Sequence, residues 1–494
     1  VSVLLVNAGP MKNYSVANLV YFPTSLVSLS TVLEAADVKV RLVDRFRERD
    51  TIEDIAAMAR EPSTSLVLLH FTTKEAPDAV AIADAIRASG SSARIAAVGL
   101  YATMYPEHVA ADESFDFVIE GDGEPAVVEL VRQVESGTSS AVANVWQRRG
   151  KTALSVRRPV DHLDVDLDGI PLLSWDVVDM SEYLNRELAF VGDFEMRRVV
   201  RFSGSRGCVY KCNFCTDPFK GYQRLSNERM LEQLDHVVDK FDPDVVFFED
   251  PEFFVRRPQT LALADEFAER YRFQCLTTSR AHYYRPDYIS QEFMRKHANR
   301  WLMWDCGAET ANAARLKEMQ KGVTLAHLRQ VADYAGAVGV RAGFSFMLGM
   351  PGETEADMLE TVRFMEELKA RAAGRLFITY QYYQPIGRTP MAELAAEHGF
   401  PAPTGIRDWQ ALFDPATGST RIQLHPWIAR PEFINYLMLV VKYVINAIHR
   451  PTADEMAFAD LLSESWLKRS AADDWTNLWE SDLAIESGRS FFTL

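Results

Sequence analysis

What most constrains the fold of this chain is a repeated alternation of short apolar strands with helix-forming segments. Strand-like runs stand at 2–6 (SVLLV), 38–43 (VKVRLV), 65–71 (SLVLLHF), 94–98 (RIAAV) and 115–119 (FDFVI), and alanine-rich helical segments lie near 25–36, 52–60, 76–88 and 124–135. Strands separated by helices pair in parallel, and the crossovers cover both faces of the sheet. A doubly wound, Rossmann-like α/β domain is therefore expected over 1–145. Such sheets bind ligands outside the carboxyl ends of their strands. Here those ends carry NAGP (7–10), HFTTK (70–74), GLYAT (99–103) and GDGE (121–124).

A single core stops growing at about 250–300 residues, so a chain of 494 needs further domains. NVWQRRGKTALS (144–155) reads as a hairpin turning at Gly150, and a Pro- and Asp-containing stretch follows it. The segment 146–195 is expected to be a linker. A second alternation then begins, with strands at 198–204, 244–249, 272–278, 301–306, 340–348 and 375–382 and helices between them, notably at 226–240, 258–270 and 354–370. Thr354 and Asp357 have capping-box spacing at the start of the last of these. Six β/α units over 196–395 predict a partial (β/α)6 barrel with its active site at the C-terminal ends of the strands. Beyond 396 the pattern becomes mainly helical, with Trp409, Trp427, Trp466, Trp475 and Trp479, and this C-terminal domain (396–494) is expected to shape the substrate site.

Directly after the first barrel strand, SRGCVYKCNFCTDP (205–218) puts three of the chain's five cysteines into eight residues. Chance produces the C-x3-C-x2-C offsets of Cys208, Cys212 and Cys215 on the order of one time in a thousand at this cysteine content. A structural zinc site wants four ligands, and no fourth Cys or His follows at zinc-finger spacing. Cys275 and Cys306 fall on other strands and read as small core residues. Three thiolates suit a cubane iron–sulfur cluster with one iron left without a protein ligand, and an open iron can hold a small molecule.

The loop resembles the signature of the radical S-adenosylmethionine (SAM) superfamily, with Phe214 as the aromatic residue before the last cysteine. The resemblance implies a [4Fe–4S] cluster on the three cysteines whose free iron chelates SAM. Reductive cleavage of SAM then gives a 5′-deoxyadenosyl radical that takes hydrogen from an unactivated carbon, with electrons from an external flavodoxin- or ferredoxin-type donor. VVFFEDPEF (245–253) matches the place of an acidic SAM contact, Asp250 or else Glu249. CGAET (306–310) with LKEMQKGVT (316–324) makes Glu309 another SAM contact, and FSFMLGMPGETEADM (344–358) and YYQPIGRTPM (382–391) add Ser345, Gly349 and Pro385.

FPTSLVSLSTVLEAADVKVRLVD (22–44), GLYATMYPE (99–107) and FDFVIEGDGEPAVVEL (115–130) are similar to the cobalamin-binding domain of B12-dependent radical SAM enzymes, so the resemblance spans roughly residues 1–395. It implies a cobalamin site built from Gly9, Pro10, His70, Thr72, Thr73, Gly99, Tyr101, Thr103, Gly121 and Glu124. The chain departs from the family pattern at Val98 and Tyr101, where a glycine and a histidine are usual. The D-x-H-x-x-G motif that supplies a cobalt-binding histidine in other B12 proteins is absent. His70 ends the third strand, where it either approaches the lower face of the cofactor or is satisfied by backbone.

A formal charge of −16 and the lack of a long basic run argue against a nucleic-acid partner. The opening VSVLLVNAGP has neither the basic flank nor the cleavage site of a signal peptide, and FINYLMLVVKYVINAI (433–448) is short of the roughly 20 residues of a membrane span. With so few cysteines, a reducing cytoplasm is expected. The leading reading is a C-methyltransferase that moves a methyl group from SAM via methylcobalamin to an unactivated carbon of a small biosynthetic, natural-product substrate. Oxidation, cyclisation or ring rearrangement without methyl transfer is the alternative within the enzyme class, and a non-catalytic B12 and cluster sensor the alternative outside it.

Overall fold

The computed structural model describes residues 2–9, 22–47, 50–138, 140–149, 153–155, 165–184, 188–191, 194–196, 198–217, 221–414, 418–446 and 451–489. Pro10 and the turn at Gly150 lie outside them. The first sheet contains β1 (Ser2–Asn7), β2 (Lys39–Asp44), β3 (Thr64–His70), β4 (Arg94–Val98), β5 (Phe117–Ile119), β6 (Val145–Arg149) and β7 (Ala153–Ser155), in the order β2-β1-β3-β4-β5-β6-β7. The first five strands are parallel, while β6 and β7 form an antiparallel hairpin on the β5 edge. The hairpin thus extends the first sheet into the stretch read as a linker. β1 and β3 are almost continuously apolar because helices cover both faces. Leu4, Val6, Val67 and Leu69 pack with the helices Ile52–Ala59 and Ala76–Ala88, and the alternate residues Val3, Leu5, Leu66 and Leu68 pack with Thr24–Ala35 and Glu124–Ser136.

β8 (Leu188–Val191) and β9 (Phe194–Met196) pair as a small antiparallel ribbon. The second large sheet uses β10 (Val199–Phe202), β13 (Val245–Phe248), β14 (Gln274–Ser279), β15 (Trp301–Glu309), β16 (Ala342–Leu348) and β17 (Leu376–Tyr382), in that order and all parallel. Its order runs from β10 to β17, so the six-stranded barrel is open. β11 (Ser205–Cys208) and β12 (Gly221–Arg224) form an antiparallel ribbon at the end of β10. Alternation along the strands separates two faces. Phe202, Val246, Phe248, Cys275, Cys306, Phe344 and Ile378 pack with the helical layer, while Val199, Val245, Leu276, Leu302 and Phe377 form a separate apolar floor inside the curve.

Helix boundaries follow local chemistry. Thr354 accepts the N–H of Asp357, whose carboxylate accepts the N–H of Thr354, so the expected capping box starts Glu355–Arg371. The apolar run near 433–448 forms the helix Pro431–Val440, which continues as a π-helical turn over Val441–Ile445, and most of its side chains are buried against the barrel. Among the described residues, no helix is long and apolar enough to cross a membrane. The C-terminal region also reaches the first domain: Ile406, Trp409, Leu412 and Phe413 share a core with Phe71, Tyr101 and Val109.

Candidate functional site

Cys208 ends β11, and Gly207 before it has φ +67, a left-handed conformation that glycine adopts without a Cβ clash. The loop that follows is held by the 316–324 segment. Asn213 donates its backbone N–H to Met319 O at 3.1 Å and its Nδ2–H to Glu318 O at 3.0 Å, and Cys212 Sγ lies 4.0 Å from Gln320 O. Cys208 and Cys212 are half-buried, Cys215 is exposed, and all three thiols are free. Among the described residues no three His, Cys, Asp or Glu side chains close on one point as ligands of a single ion do. A cubane instead takes each thiolate on a different iron.

Two buried cations stand beside this loop. Arg280, at the end of β14, directs Nη1 at Cys212 Sγ (3.5 Å), and its guanidinium lies 3.7 Å from the centre of the Tyr210 ring. Lys321 donates to Glu309 Oε1 at 2.5 Å and lies 5.6 Å from the Phe214 ring centre. Glu252 is buried, and burial pushes its carboxyl up to about 8 against the opposing pull of Arg280 and Lys321. Three unpaired thiols on one loop, flanked by buried positive charge, fit an anionic iron–sulfur cluster. A metal-bound thiol is deprotonated outright, and burial of Cys208, which raises the pKa of its free thiol, makes that gain depend on the metal.

The other residues expected at SAM are distributed around the same mouth. Asp250 is buried, accepts the Gly204 N–H at 3.1 Å and is pushed by burial to about 6, so one of its oxygens serves the backbone that leads into the cysteine loop. Glu249 pairs with Arg201 on the inner face. β15 runs three residues beyond the expected end, and a register shift between Gly307 and Glu309 brings Glu309, at φ +66, onto Lys321. Ser345 alternates with the outward Phe344 and Phe346, which places it on the inner face. Gly349 has φ +68 and its carbonyl accepts Trp427 Nε1–H at 2.8 Å, while Pro385 lies buried in the turn after β17.

The carboxyl edge of the first sheet is lined by glycines. Gly99 has φ +106, and a Cβ there would stand 2.9 Å from the His70 ring; Gly121 has φ +83; a Cβ on Gly9 would strike Glu75 at 2.2 Å. His70 Nδ1 lies 3.4 Å from Asn7 Oδ1, and burial lowers the ring's pKa to about 4, so the imidazole is neutral. Thr72 gives both its N–H and its hydroxyl to Glu75 Oε2. Glu75 Oε1 is buried with no partner among the described residues, and burial raises this carboxyl to about 7. An amide-bearing tetrapyrrole supplies N–H donors for such an orphaned oxygen, so the edge fits cobalamin.

Besides Thr72, four of the residues expected at cobalamin have their polar groups engaged elsewhere. Tyr101 is fully buried, with its hydroxyl accepting Trp409 Nε1–H at 2.9 Å and bonded to His108. Thr103 donates to Gly99 O and accepts the Gly121 N–H, clamping the ends of β4 and β5 together. Thr73 donates to Ile386 O at 2.7 Å. Glu124 accepts from Arg206 Nη2 at 2.6 Å and from Ser28 Oγ at 2.5 Å. The contacts of Thr73 with Ile386 and of Glu124 with Arg206 join the domains, because Ile386 follows β17 and Arg206 stands two residues before Cys208. Arg206 also pairs with Asp122 at 2.7 Å, and Arg407 with Asp84 and Asp112. The carboxyl edge of the first sheet therefore faces the mouth of the barrel.

Glu75, Glu252, Arg206, Arg280 and Lys321 were not singled out from sequence. Each ends or closely follows a strand, or stands close to the cysteines, and charged residues at those positions were the available signal.

Residues 14–131 match the B12 binding domain family and residues 202–365 the radical SAM superfamily. The chain therefore carries a B12 binding domain followed by a radical SAM domain. A relative from Pyrococcus horikoshii, described as uncharacterized methyltransferase PH0819, is 25% identical over 351 residues, covering 69% of this chain and 72% of the relative. An anaerobic magnesium-protoporphyrin IX monomethyl ester cyclase of Rubrivivax gelatinosus is 21% identical over 277 residues, 54% of this chain and 48% of that protein. Two solved structures share the fold. The radical SAM methyltransferase TsrM of Kitasatospora setae, with tryptophan and a SAM analogue bound, has a TM-score of 0.66 at 17% identity and covers 96% of this chain and 99% of its own. The cobalamin-dependent SAM radical enzyme OxsB has a TM-score of 0.68 at 16% identity, covering 99% and 75%. The radical SAM domain implies a [4Fe–4S] cluster and SAM, and the B12 binding domain implies cobalamin.

Proposed function

We propose that this enzyme is a cobalamin-dependent radical SAM C-methyltransferase acting on an unactivated carbon of a small biosynthetic molecule. The observation that carries the reading is the meeting of two ligand-binding edges, tied by Arg206 to Asp122 and Glu124 and by Thr73 to Ile386. When bound, the cluster with SAM supplies a hydrogen-abstracting radical and cobalamin supplies the methyl group, so both must reach one substrate carbon. The chain's own part is to hold and orient. Cys208, Cys212 and Cys215 would hold the cluster. Asp250, Glu309 and the Ser345 and Gly349 strand end would surround SAM, with Glu249 as the alternative acid. Gly9, His70, Thr72, Gly99 and Gly121 would line the cobalamin edge.

The inner face of the barrel carries Arg201, Glu249, Asp305, Ser345 and Thr379 above an apolar floor, which supports a polar substrate of modest size. Asp305 is pushed by burial to about 6. The packing of Trp409 and Phe413 on the first domain helps to keep water from the junction. SAM with a deuterated methyl group tests the reading: label in the product supports transfer. 5′-Deoxyadenosine formed with an unlabelled, rearranged or oxidised product would favour the chemistry class of the cyclase relative instead.

A further inference from the structure

We infer that Arg280 is a hydrogen-bond donor to the sulfur of the iron–sulfur cluster and sets its reduction potential. This rests on the functional reading above, which supplies the cluster. Arg280 is 5% exposed, yet among the described residues its Nε and Nη2 have no hydrogen-bond partner and no carboxylate lies within ion-pair distance of it. A buried donor left unpaired costs about 1–3 kcal/mol, and more when charged, so the fold alone gives no reason to keep this group here. Its position is nevertheless fixed. The Tyr210 ring lies 3.7 Å from the guanidinium carbon, and Tyr210 is anchored by Tyr283 Oη at 2.7 Å and His282 Nε2 at 3.1 Å.

Among the described residues, the hydrogen bond its nitrogens make is from Nη1 to Cys212 Sγ at 3.5 Å. The neighbouring charges are mixed: Glu252 is close enough to feel Arg280 but burial raises it to about 8, and Lys321 is committed to Glu309. Among the described residues the guanidinium is thus a buried charge beside the thiol loop with no carboxylate paired to it. Reduction adds one electron, and so one negative charge, to the cluster. A fixed cation and N–H···S bonds stabilise that reduced form and raise the potential. Arg280 is a positioning and tuning residue that touches a cluster ligand, Cys212, and would direct its free N–H groups toward the cluster's sulfur.

The test uses anaerobically reconstituted holoenzyme, titrated with dithionite without SAM and followed by electron paramagnetic resonance. Arg280→Gln is expected to lower the equilibrium constant for reduction about tenfold, a midpoint about 59 mV more negative for a one-electron couple, at unchanged iron content and cobalamin binding. Arg280→Lys, which keeps the charge and loses the fork, falls between. A wild-type midpoint in Arg280→Gln overturns the inference. So does a shift that appears only after SAM is added, which would assign the guanidinium to the SAM carboxylate. Should both variants fail to hold a cluster, wild-type protein containing heavy-nitrogen arginine decides: pulsed measurements on the reduced cluster show arginine nitrogen coupling, and its absence overturns the inference. Wild-type protein with no cluster signal would sink the functional reading and this inference together.

Discussion

Replacing Arg206 with methionine removes the charge that joins the two halves of the site while keeping an unbranched side chain. The guanidinium lies 2.7 Å from Asp122 Oδ1 and 2.6 Å from Glu124 Oε1, whose side chains are 8% and 7% exposed. Burial alone would push Glu124 up, and Arg206 with Ser28 more than reverses it, leaving this carboxyl below its ordinary range. Asp122, less well paired, is raised by burial to about 6 despite Arg206. Without the cation, two buried carboxylates face each other. Removing one partner of a buried pair costs about 3–5 kcal/mol, and the 22% exposure of Arg206 puts the expected loss near the lower end, about 3 kcal/mol. Glu124→Gln leaves Arg206 with Asp122 and costs less. In the double variant the second change removes a charge that has already become unfavourable, so a double-mutant cycle should return a coupling of about 1–2 kcal/mol. Urea unfolding of the cofactor-free chain provides the assay, analysed transition by transition because a multidomain chain need not unfold in two states. Unfolding of Arg206→Met at the wild-type urea concentration, or a cycle additive within about 0.5 kcal/mol, would refute the reasoning.

Cys212→Ala should abolish SAM cleavage and leave cobalamin bound, because among the described residues the bonds of Cys212, to Gln320 and Arg280, lie within the barrel; loss of the cobalamin spectrum would contradict this. Gly99→Ala forces a side chain into a conformation at φ +106 and a Cβ to 2.9 Å from His70, so it should lose about 2 kcal/mol of stability or more and weaken cobalamin retention, measured by melting and by equilibrium dialysis. Glu353 is 6% exposed, one of its oxygens lacks a partner, and burial raises it from 4.5 to about 7. The folded chain therefore holds a proton that the unfolded chain has released. Its stability is fully present below pH 4.5 and falls as pH rises toward 7, by roughly 3 kcal/mol in the limit. Glu353→Gln should flatten the melting temperature over that window, and an unchanged slope would count against it.

The elements that could be read from sequence were those written in local chemistry. Apolar runs such as SVLLV and SLVLLH specify parallel strands by their own composition, and Thr354 with Asp357 marks a helix start within four residues. The cysteine loop was legible for the same reason, since Cys208, Cys212 and Cys215 lie on one short segment. What was missed depends on groups brought together from far apart. Glu124 opens a helix just after the glycine-rich turn that follows β5, as a cofactor contact would, yet its partner Arg206 lies 82 residues away. Tyr101 meets Trp409 across 308 residues, which takes its hydroxyl into the core. Arg280 could be seen only as one of many arginines until the fold brought the end of β14 within reach of Cys212, 68 residues earlier in the chain. The extension of β15 to Glu309 depends on a bulge that apolar patterning does not reveal.

Mössbauer spectroscopy of anaerobically prepared protein, grown on isotopically enriched iron and loaded with cobalamin, asks the central question most directly. Three protein thiolates leave one corner of the cubane available, so adding SAM should change the signal of a single iron site and leave the others unmoved. Zinc in place of iron, or a cluster whose irons are all indifferent to SAM, would contradict the assignment of Cys208, Cys212 and Cys215.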